Sequence, residues 1–218
     1  MNNLTVTELF ALYLLKRRRN FYHGTVSPYL LNCMLAEMYL NGNIAIDEEL
    51  YIETTNERVP TASYHRMLFD LIKEKNRKIF LRAFVDVVTQ SEKWHYVCGL
   101  LENSLHKGGI VELSEERNWL HMRKVLKFNY IELNAKLHEI KWKFFYGNQQ
   151  TEFLLFSFLV NQLFITRGIL TKQEKKLYRK RIRTSERSRI NELKRVFKTS
   201  FWSMFARTQL SQKSYAEY

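Results

Sequence analysis

A mainly α fold, one globular domain of packed amphipathic helices with one or two short β-hairpins, follows from three features of the sequence. Apolar residues recur at helical intervals over most of the chain. Only two Pro and seven Gly interrupt 218 residues. Hydrophobic residues make up 45% and charged residues 26%, which is ordinary globular usage. A chain of this length buries roughly 70% of its extended surface on folding, so one core suffices without disulfides. The helical domain is expected over 1–198, and 199–218 form a C-terminal tail in which Phe201, Met204 and Phe205 have amphipathic-helix spacing.

The elements follow in order. Thr5 and Glu8 have capping-box spacing, and Val6, Leu9, Phe10 and Tyr13 repeat at helical intervals up to the basic run Lys16 to Arg19. After a loop at Asn20 to Gly24, Ser27-Pro28 reads as an N-cap and a first-turn proline. The second helix then carries Leu30, Leu31, Met34, Leu35 and Met38 on one stripe and stops at Asn41-Gly42. Ile44 to Ile46 and Leu50 to Ile52 flank an acidic turn and predict a hairpin. A third helix follows Pro60-Thr61 with Met67, Leu68, Leu71 and Ile72, and a fourth is predicted through Ile79, Phe80, Ala83, Phe84, Val87 and Val88. A fifth runs from Glu92 to Lys107 with Val97, Leu101, Ser104 and Leu105 inward, and ends at Gly108-Gly109 before a strand-like Ile110 to Leu113. Ser114 to Phe128 fits neither period. Helices are expected again at 129–145, 151–165 and 171–198.

Charge bounds the partner. Lys+Arg exceed Asp+Glu by +13, and residues Lys172 to Lys198 hold twelve Lys/Arg against three Glu. Such a density attracts phosphate, on lipid headgroups or on nucleic acid. Lys175, Lys176, Arg179, Lys180, Arg181 and Arg183 are the candidate surface, joined by Arg17, Arg18 and Arg19. No apolar run reaches the ~20 residues of a membrane span, and the charge order around Leu9 to Leu15 is the reverse of a secretory signal, so a cytoplasmic protein is expected. Cys33 and Cys98 are two isolated thiols, suited to a reducing compartment. His95 and Cys98 have metal-ligand spacing, but no second pair lies nearby, so no metal or cofactor is expected. Phosphate-cradling glycine loops, a nucleophile elbow and His-Glu-x-x-His are all absent from the sequence, which argues against an enzyme.

The ordered series Phe21-Tyr22, Asn32-Cys33-Met34-Leu35-Ala36-Glu37-Met38-Tyr39-Leu40-Asn41-Gly42-Asn43-Ile44, Pro60-Thr61 and Lys107-Gly108-Gly109-Ile110-Val111 resembles the Golgi phosphoprotein 3 (GPP34-type) family over about Leu4 to Phe197. The resemblance implies a helical core, a hairpin used in self-association, and a peripheral membrane role through phosphoinositide recognition, without catalysis. Met1 directly precedes the first helix, unlike the long basic extension of the eukaryotic adaptors, so the chain is similar to the bacterial members. The family's headgroup positions fall on Tyr22, Leu31, His95 and Cys98. Leu31 and Cys98 cannot donate the charged hydrogen bonds that phosphate recognition relies on. Trp119 and Leu120 occupy the place of the family's membrane-inserting loop.

The expected function is therefore a peripheral, non-enzymatic protein that binds anionic membrane lipids by charge. The alternatives are a nucleic-acid binder using helix 171–198 and a protein–protein scaffold, the last with homo-oligomers.

Overall fold

The computed structural model describes residues 4–16, 21–22, 26–55, 58–75, 77–109, 111–118, 121–128, 171–184, 191–193 and 195–197, with isolated positions Ile131, Leu133, Asn134, Ala135, His138 and Leu155; at 16, 113–118, 121–128, 175, 178 and 181–184 it describes the backbone alone. The described chain is mainly helical, as expected. Its elements are α1 (Val6–Lys16), α2 (Ser27–Leu40), β1 (Ile44–Ile46), β2 (Tyr51–Thr54), α3 (Ser63–Lys73), β3 (Ile79–Phe80), α4 (Leu81–Thr89), α5 (Glu92–Lys107), β4 (Val111–Asn118), β5 (His121–Phe128) and α6 (Lys172–Thr184).

α1 and α2 form the centre because both are apolar around their whole circumference. Val6 and every residue from Leu9 to Leu15 are buried, and so is every residue from Leu30 to Met38. The one-sided stripe expected for α2 is thus a correction: the helix packs in all directions, and its polar positions Ser27, Asn32 and Glu37 are buried with the rest. Asn32 satisfies itself locally, its Nδ2 donating to the Pro28 carbonyl at 2.8 Å. The capping box at Thr5 forms as predicted. Thr5 N–H donates to Glu8 Oε2 at 2.9 Å and Glu8 N–H to Thr5 Oγ1 at 3.1 Å.

Ser27 does not cap α2. Val26 is the N-cap, Pro28 sits in the first turn, and the buried Ser27 hydroxyl donates to the Phe21 carbonyl at 2.8 Å. Trp94 Nε1 of α5 donates to the same carbonyl at 3.2 Å, so one oxygen fixes the approach to α2 against α5. At the other end α2 closes in a Schellman motif: Asn43 N–H donates to Met38 O and Gly42 N–H to Tyr39 O, with Gly42 at φ +71°. Glycine takes that left-handed conformation without a Cβ penalty.

The chain then enters β1. β1 pairs antiparallel with β2 (Ile44↔Thr54, Ile46↔Ile52), and β2 pairs with β3 (Tyr51↔Phe80) in a three-stranded sheet. Leu50, expected in the second strand, instead occupies the turn at φ +67°, where Asp47 Oδ1 accepts from the N–H groups of Glu49 and Tyr51. Ile79 and Phe80, expected in the fourth helix, form β3; α4 starts one residue later, and its Leu81 N–H donates to the Leu50 carbonyl. The buried stripe of α4 is Leu81, Phe84, Val85 and Val88, which leaves Ala83 and Val87 in solvent.

α3 and α5 bury the residues their spacing marks, Leu68, Leu71 and Ile72 in one and Val97, Leu101 and Leu105 in the other. The ambiguous Ser114 to Phe128 becomes most of a second, longer hairpin, with β4 and β5 paired from Val111↔Phe128 to Asn118↔His121. A single cluster of buried side chains runs from Val6 through Leu133 and Leu155 to Leu193, Val196 and Phe197. The last segment is tied to α2 by Tyr39, whose hydroxyl donates to Glu192 and whose ring meets Phe197 edge-on at 6.4 Å. The helices expected at 129–145 and 151–165, and the tail 199–218, lie outside the described residues apart from the isolated positions above.

Candidate functional site

The basic helix begins with a second capping box, Thr171 N–H donating to Glu174 Oε2 and Glu174 N–H to Thr171 Oγ1. Lys172, Lys176, Arg179 and Lys180 are all exposed. At 3.6 residues per turn these four fall within an arc of about 100°, one face of α6. Lys175, Arg181 and Arg183 lie on the α6 backbone, their side chains outside the description, and Arg17, Arg18 and Arg19 lie outside the described residues. Leu177 is 45% exposed. The physical reason is that α6 has no continuous apolar stripe to bury: Leu177, Tyr178 and Ile182 do not share a narrow face. Leu193, Val196 and Phe197 supply the buried anchor of this region.

The four positions implied by the family resemblance separate into two groups. Tyr22 stacks on His95, ring centroids 5.0 Å apart at 17°. The Tyr22 hydroxyl donates to Glu102 Oε1 at 3.2 Å. Burial raises the Tyr22 pKa, and the negative charge of Glu102 raises it further. Cys98, beneath them, is buried, and burial followed by Glu102 pushes its thiol pKa up, away from thiolate chemistry. Leu31 is 0% exposed in α2 and belongs to the core. Leu31 and Cys98 therefore present no surface to a headgroup, and Glu102 places a carboxylate where a phosphate site needs donors. Glu102 escaped the sequence reading because it sits on the polar side of an ordinary amphipathic helix. Trp119 and Leu120 fall between the paired ends of β4 and β5 in sequence and lie outside the described residues.

A third cluster was not anticipated. Glu37, in α2, reaches the N-terminus of α1: Oε1 accepts from Val6 N–H at 3.1 Å, and Oε2 from Thr7 N–H at 3.0 Å and the Thr7 hydroxyl at 2.6 Å. His65 of α3 stands 3.6 Å from the same oxygen, and its Nε2 is 3.4 Å from Thr7 Oγ1. Burial raises the Glu37 pKa against the lowering effect of its donors, and burial lowers that of His65 to about 3. Next to it, Glu8 accepts from the Ser104 hydroxyl of α5 at 2.6 Å, and the Thr5 and Tyr64 hydroxyls meet at 2.8 Å. Hydroxyl, imidazole and carboxylate are the types of a nucleophile and base, but Thr7 is fully buried and its proton already serves Glu37. What the arrangement does is cap α1 from a neighbouring helix, satisfying amide donors that have no intrahelical partner. The signal available in the sequence was a lone Glu inside an apolar helix.

Among the described residues no group of His, Cys, Asp and Glu is placed to hold a metal ion, and no helix is long and apolar enough to cross a membrane. No protein-family model and no curated protein matches the chain.

Proposed function

We propose that the protein binds anionic lipid headgroups as a peripheral membrane-associated protein, through the basic face of α6 and by charge, without chemistry of its own. One observation carries the reading: Lys172, Lys176, Arg179 and Lys180 share an exposed face of one helix in a chain of net charge +13. Each cation near an anionic bilayer contributes about 1 kcal/mol, so four together give measurable attraction. The exposed Leu177 beside them favours a bilayer interface over a nucleic-acid backbone, because an apolar side chain gains from the headgroup boundary and gains little from phosphate. The family-position pocket at Tyr22 and His95 has no part in this reading.

Flotation with vesicles of phosphatidylcholine alone and doped with phosphatidylserine tests it. Binding should rise with phosphatidylserine and fall with added salt. Equal binding to both vesicles overturns the proposal, and a salt-dependent shift of duplex DNA that outcompetes the vesicles replaces it with the nucleic-acid alternative.

A further inference from the structure

We draw no further inference here: the strongest candidate, the exposed apolar patch that Tyr51 of β2 and Phe80 of β3 form on the outer face of the β1–β2–β3 sheet, carries none, because nothing in the structure shows what covers it.

Discussion

Glu37 costs the protein solvation and returns helix capping. Its carboxylate accepts from two backbone amides and one hydroxyl at the start of α1, and a charge-assisted bond of this kind is worth more than a neutral one. Glu37→Ala would leave buried donors without a partner, and a loss of about 2–3 kcal/mol is expected, read from the urea midpoint at constant slope. His65 gives a prediction of definite sign. The free imidazole titrates near 6.5, whereas burial holds the folded one neutral down to about 3. Between those values the unfolded chain binds the extra proton, so this contribution is fully present above about 6.5 and is lost as pH falls toward 3. The Glu37 carboxyl, raised by burial, works in the opposite sense: its contribution is present at low pH and fades as pH rises through its folded pKa. Denaturant titrations across this range should show stability declining on acidification, and His65→Gln should flatten the decline. An unchanged slope in that variant would assign the acid sensitivity elsewhere.

Two glycines make opposite demands on the elements that contain them. Gly42 holds φ +71° at the close of the α2 Schellman motif, so Gly42→Ala meets no clash but adopts a left-handed backbone. A loss of about 1–2 kcal/mol is expected. Gly99 lies inside α5 with open space where a Cβ would stand, and Gly99→Ala should stabilise by about 0.5–1 kcal/mol. Thermal unfolding of the pair decides both, and a shift of the same sign in the two variants would refute the backbone argument. The boundaries of these elements were readable where they rest on local chemistry. Thr5 with Glu8, Asn41-Gly42 and Glu92 to Lys107 all lie where capping and stop signals put them. The misplaced boundaries share another cause. Ile79 and Phe80 continue a helical apolar period, yet they pair with β2, because a strand partner far away in sequence outweighs a local preference.

Among the described residues, the exposed cations of α6 and the exposed Glu48, Glu49 and Glu53 beside the β1–β2–β3 sheet belong to different elements, while Arg66, Lys73, Lys93 and Lys107 are exposed elsewhere. Lys176→Glu with Arg179→Glu should therefore weaken binding to phosphatidylserine vesicles by at least about 2 kcal/mol, roughly 30-fold. Lys78→Glu, which breaks the pair with Asp47 beside the β1–β2–β3 sheet, should leave vesicle binding close to the parent. Flotation at fixed salt checks both; equal losses would mean that net charge, and not its placement on α6, governs the attraction. Of the candidate surface, Lys176, Arg179 and Lys180 are exposed on one arc of α6 together with Lys172, whereas the backbone position of Arg181 falls outside that arc. The exposure of Leu177 was not legible in the sequence, since it depends on what packs against α6.

Period, capping chemistry and composition were enough to announce a helical protein, the ends of its main helices and its positive balance, because each depends on residues within one or two turns of each other. The burial of α2 on every side, the rotation of the α4 stripe that exposes Val87, the joining of β3 to the first hairpin and the reach of Glu37 to α1 depend on partners 30 residues away in the last case and on whole neighbouring elements in the others. Contacts of that range carry no periodic trace along the chain. They arise when apolar surfaces compete for burial and buried polar groups must find donors, and that competition is settled only among assembled elements.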